Sequence, residues 1–163
     1  ESKPEDKLLA MYYQNEIEEL EKEISASDNL LINGLFCAEI AYKKLFYRNQ
    51  LQADVDYKIQ SIMKNSTAVF GLNYGKGIRE HIVCQNCIPM LLPAHSLFLG
   101  ELGCDIALTF MQYNCDDILL WKKIKNLQNL ISDRRLDLWF LLIAFSCEES
   151  SKYSNTINYI LNL

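Results

Sequence analysis

LDLWFLLIAF, residues 136–145, contains a single polar side chain, Asp137. Upstream, LFLGELGCDIALTFM (97–111) has only Glu101, Asp105 and Thr109 as polar side chains. A helix that is apolar on every face must be surrounded by other elements, because each large side chain left in water forfeits about 1.5–3 kcal/mol of burial. Both stretches are too short to span a bilayer as a helix, which needs roughly 18 apolar residues or more. They therefore predict two central rods, around Gly103 and Leu142, wrapped by amphipathic helices.

The flanking sequence supplies those helices. Pro4 and the acids Glu5 and Asp6 open a first one running to Ile24, with Leu8, Met11, Ile17 and Leu20 along one stripe. A longer pattern starts at Ser27 or Asp28 and continues to Ile62 and Met63, with a break expected near Asn49 to Asp54. NSTAVFGLNYGKG (65–77) holds half of the six glycines and reads as an extended loop, followed by a short helix over 78–88 that Pro89 stops.

Residues 114–117 cap a helix to about Ile131, with Ile118, Trp121, Ile124, Leu127 and Leu130 or Ile131 inward. Ser132 caps the second rod, and a final helix from about Lys152 turns Tyr153, Ile157 and Ile160 inward. The fold expected is all-α: one globular domain over 1–163, a bundle of about seven helices with two buried at its centre. A chain of 163 residues suits that reading, since a domain of this size buries roughly 70% of the surface its unfolded form exposes.

Composition narrows function by exclusion. The net charge is −5, and the 16 basic residues are scattered; their densest group, Lys122, Lys123 and Lys125, reads as the solvated face of one helix. Nothing there resembles a footprint for phosphate backbones, so no nucleic-acid partner is expected. The glycines of 71–77 miss the phosphate-loop spacing by one residue, and Gly77 stands where that motif places a hydroxyl. Cys37, Cys104 and Cys147 lie in apolar helical stretches, where free thiols behave as small hydrophobes. A cytoplasmic protein with reduced cysteines is expected; paired cysteines would instead indicate secretion.

The constellation richest in chemistry is His81, Cys84, Cys87 and His95, both histidines of the chain within fifteen residues of a CxxC. On a helix His81 and Cys84 share a face and Cys87 follows one turn on, an N2S2 set suited to zinc. The competing reading is packed core thiols. Glu101, Asp105 and Asp137 interrupt apolar helices and call for cationic partners, with Arg134, Arg135, Arg79 and Lys43 at hand. No nucleophile, base and carboxylate converge in a recognisable pattern, so no catalytic residue is assigned.

Nine tyrosines spread over most elements suit groove rims and interfaces. The architecture resembles that of Bcl-2-like domains, with FGLNYGKGIRE (70–80) a distant echo of their NWGR-containing segment. That likeness, one of architecture, implies a surface groove for a partner helix. The function expected is a non-enzymatic, regulatory protein-interaction module whose partner is another protein. The alternative is a helical sensor or carrier that holds a metal or an apolar ligand, the latter beside Phe98, Phe110, Trp139 and Phe140.

Overall fold

The fold is described from a computed structural model covering residues 38–39, 41–43, 45, 51–73, 82–91, 98–113, 115–147 and 149–163. Residues 38–39, 41–43 and 45 are helical, and the chain is non-helical at 51–52, within the break expected there. Helix α1, Ala53–Asn65, carries Asp54 and Asp56 in its first turn and Lys64 in its last, matching the helix dipole at both ends. Its buried residues Val55, Ile59 and Ile62 recur at four and three, which turns one stripe to the core.

The fold is mostly helical, as expected, but not all-α: two short antiparallel strand pairs interrupt the helices. In the first, β1 (Phe70–Asn73) pairs with β4 (Phe98–Glu101) in the register Phe70↔Glu101, Gly71↔Gly100 and Asn73↔Phe98. The echo at 70–80 thus begins as a strand, and the rod read over 97–111 divides into β4 and a helix that follows without a loop. A Cβ at Gly71 would lie 2.5 Å from Leu102 Cδ2, so any larger residue there needs the Leu102 side chain to move. The Leu102 N–H donates to Val69 O at 3.0 Å and ties that helix to the strand pair.

The second pair, β2 (Ile82–Gln85) with β3 (Ile88–Leu91), replaces the helix expected over 78–88. The turn residues Asn86 and Cys87 take φ of 52° and 62°, the left-handed conformation of a two-residue hairpin loop. Ile82, Val83 and Ile88 are β-branched, and Pro89, which cannot sit inside a helix, is tolerated at a strand edge.

Four helical elements complete the chain: α2 (Leu102–Gln112), α3 (Ile118–Leu127), α4 (Asp133–Ser146) and, after a 3₁₀ turn at Ser150–Tyr153, α5 (Ser154–Leu161). As the sequence implies, Asp117 and Ser132 are N-caps, accepting from Leu120 N at 3.2 Å and Arg135 N at 3.2 Å. Helix α5 has no side-chain cap of its own. Asp116 supplies one from across the fold, accepting from Asn155 N at 3.2 Å and Thr156 N at 2.9 Å.

Helix α4 is the axis of the molecule, packed against α1, α2, α5 and the 3₁₀ turn. Leu136, Leu138, Phe140, Leu141 and Ala144 are wholly excluded from solvent. Phe140 meets Phe110, Trp121 and Tyr153 at centroid distances of 6.0, 5.1 and 6.0 Å in tilted or edge-on geometry, so rings fill the space beside it. Where α2 crosses α4, Gly103 permits the close approach, since a Cβ there would stand 2.9 Å from Trp139 Cδ1. Of the three cysteines read as core, Cys104 is half-buried, Cys147 is exposed at the end of α4, and Cys37 lies outside the described residues.

Candidate functional site

An apolar opening lies between α2 and α3. On α2, Gly103, Ala107, Phe110 and Met111 are buried toward the core, which leaves Ile106, Thr109 and Tyr113 as a second, outward stripe at spacings of three and four. On α3, Trp121 and Lys125 point inward, while Leu120, Ile124 and Leu127 run along the flank at four and three. Between the two helices lies a groove of about 450 Å³, walled by Ile106, Thr109, Phe110 and Tyr113 on one side and Leu120 and Ile124 on the other. Asp105 and Cys115 stand at its margin.

Several side chains of this groove and its surroundings are exposed where a core residue would not be. Tyr113 is 51% exposed, Leu120 39% and Leu127 78%. The sequence reading placed Leu127 inward, and the correction has a simple cause. Leu127 follows Trp121 by six residues, which at 3.6 per turn sets it about 120° round α3 from that buried face. Of the pair Leu130 or Ile131, Ile131 is the inward one.

A second recess, of about 360 Å³, is polar and lies at the other face of α3. Its floor is an ion pair: Asp137 accepts from Lys125 Nζ at 3.0 and 3.1 Å and from Trp121 Nε1 at 2.8 Å. Lys125 also lies 5.1 Å from the centre of the Tyr159 ring. Burial pushes the Asp137 carboxyl above the ordinary aspartate value, outweighing the opposing pull of the Trp121 hydrogen bond and the Lys125 charge. The group thus has two donors and is still costly to keep charged, as a desolvated carboxylate must be. Lys58, Asp133 and Arg134 line the mouth.

Sequence reasoning expected Asp137 to find a cation but missed which one. Lys125 was grouped with the solvated lysines, whereas it is 5% exposed. The signal was its position four residues after Trp121, on that residue's inward face. Glu101, for which the sequence calls for a cationic partner, is buried and paired with Arg135 Nε, while Arg135 Nη1 reaches Ser66 Oγ at 3.3 Å. This pair pins the end of β4 to the first turn of α4 and to the residue that follows α1.

Of the proposed metal set, Cys84 lies in β2 and Cys87 in the hairpin turn, both exposed free thiols, so the shared helical face expected of Cys84 does not exist. His81 and His95 lie outside the described residues. Among the described residues no group of three or more His, Cys, Asp or Glu is placed to hold a metal, and no helix is long and apolar enough to cross a membrane. Compared with known proteins, the chain matches no family model, no curated protein and no solved structure.

Proposed function

We propose that this chain is a non-enzymatic protein-interaction module that takes an apolar helix of a partner protein in the groove between α2 and α3. The observation that carries the reading is the groove itself, about 450 Å³ between Ile106, Phe110 and Tyr113 on one side and Leu120 and Ile124 on the other. A partner helix with anchors at i, i+3, i+4 and i+7 matches that shape.

The test is selection from a library of amphipathic helical peptides, followed by mapping of the bound peptide on the protein's amide spectrum. Binders should perturb Ile106, Leu120 and Ile124. Leu120→Glu should weaken them at least tenfold while changing stability by less than about 0.5 kcal/mol, because the side chain is partly exposed. Failure to select any binder, or binders that perturb other surfaces only, would sink the reading. With it we propose a regulatory role, a cytoplasmic setting and a bundle of about seven helices; the segment 5–24 lies outside the described residues.

The carrier alternative draws on Cys84 and Cys87, which one hairpin turn presents to solvent as free thiols. Elemental analysis of purified protein, compared with Cys84→Ser and His81→Ala, decides its metal form. Metal that persists in both variants removes the site named above.

A further inference from the structure

We propose that the outer edge of β2 pairs antiparallel with the same strand of a second copy of this chain, making a closed four-stranded sheet across a two-fold axis. The argument begins with the hairpin's hydrogen-bond parity. Gln85 and Ile88 flank the two-residue turn and so form a pair that exchanges both bonds inward. Pairs then alternate: Cys84↔Pro89 is a non-bonded pair, Val83↔Met90 is bonded, and Ile82↔Leu91 is again non-bonded. The N–H and C=O groups of Ile82 and Cys84 therefore point away from β3.

The two edges of the hairpin are not equivalent. On β3 the corresponding outward position is Pro89, which has no N–H, so that edge is blunted against further pairing. On β2 all four outward groups are intact, and among the described residues no strand covers them. Every residue from 83 to 90 is exposed. The face carrying Val83, Ile88 and Met90 presents these side chains at 39%, 63% and 44% exposure. An isolated two-stranded hairpin with such a face is marginal in water.

A second copy fits this edge without adjustment. Antiparallel apposition centred on Val83 places Ile82 opposite the partner's Cys84 and the reverse, so both outward pairs exchange two bonds each. Val83 then meets its own symmetry mate at a non-bonded position, with Cα atoms about 4.5 Å apart. Residues 82–91 contain no charged side chain, so the chain's net charge of −5 is not brought to this contact. Pro89 at both outer edges halts growth, so the sheet closes at a dimer and does not propagate into a fibre. Four hydrogen bonds and one small apolar face predict weak association, with a dissociation constant on the order of 100 µM.

Sedimentation of the full chain under reducing conditions, over concentrations on the order of 10 µM to 1 mM, tests this directly. Wild type and Cys84→Ser should associate reversibly. Cys84→Pro removes one outward N–H that the hairpin itself does not use, mirroring Pro89 opposite. It should weaken association at least tenfold while the amide signals of Val83 and Met90 keep their strand shifts. In a Cys84→Ser, Cys87→Ser, Cys147→Ser background, Val83→Cys should oxidise to a linked dimer and Met90→Cys should not, because only the first lies on the axis within disulfide reach. Wild type that stays monomeric throughout, or association that survives Cys84→Pro, overturns the proposal. A monomer that instead captures a strand from another protein also overturns it.

Discussion

Beyond its capped first turn α4 is as apolar as α2, yet α4 is enclosed on almost every side and α2 on one. Along α4, every residue from Arg135 to Leu142 is buried. Along α2, only Gly103, Ala107, Phe110 and Met111 are. The difference lies in the neighbours: α4 meets helices from three directions, whereas α2 has α4 behind it, β1 at its start, and the groove toward α3 in front. Apolar composition alone states that a helix wants cover; it does not state whether the cover belongs to the same chain.

The sharpest way to break this contrast is to truncate matched side chains on the two helices. Phe140→Ala in α4 should cost about 3–5 kcal/mol in urea denaturation, because its rings and methyl neighbours cannot collapse into the void. Ile106→Ala on the groove wall should cost less, about 1–2 kcal/mol, since its side chain is only partly buried. Equal losses would mean that α2 is enclosed after all.

Next in size is the buried charge. Asp137→Ala strands Lys125 without its partner and should cost roughly 3 kcal/mol, while Lys125→Met with Asp137→Leu should recover most of it. Asp137 itself has a raised native carboxyl, so the folded state holds its proton more tightly than the unfolded chain. Its contribution to stability is therefore greatest below the ordinary value of 3.8 and declines as pH rises above it. Urea titrations of wild type against Asp137→Asn should show that declining difference; a difference that grows with pH would reverse the assignment.

Smaller effects test how the helices are joined. Gly103→Ala gains helix propensity but drives a methyl group to 2.9 Å from the Trp139 ring, and should destabilise by about 1–2 kcal/mol. Ser132→Ala removes the cap of α4 and should cost about 1 kcal/mol by thermal or urea unfolding. A neutral Gly103→Ala would show that α2 can shift away from α4, loosening the back wall of the groove.

Much of the helical framework is legible in the sequence because its signals are local. Asp117 and Ser132 cap the helices they precede, the spacing of Val55, Ile59 and Ile62 marks a core stripe, and Glu101 in an apolar setting demands the cation it finds in Arg135. The hairpin at 82–91 was misread because IVCQNCIPML has both apolar spacing and β-branched residues. Only the left-handed turn at Asn86 and Cys87 separates the two readings. The opening between α2 and α3 is not legible, because Leu120 and Leu127 look the same in sequence whether they face a neighbour or water.

The sequence alone determines where helices begin and which stretches must be sheltered, since caps, β-branching and the cost of wetting apolar surface act within a few residues. Which rod is fully sheltered, that Lys125 and not a nearby arginine answers Asp137, and that the flank of α3 is left open are decided by the tertiary structure. Those outcomes depend on the directions from which distant segments approach, and no local spacing encodes a direction in space.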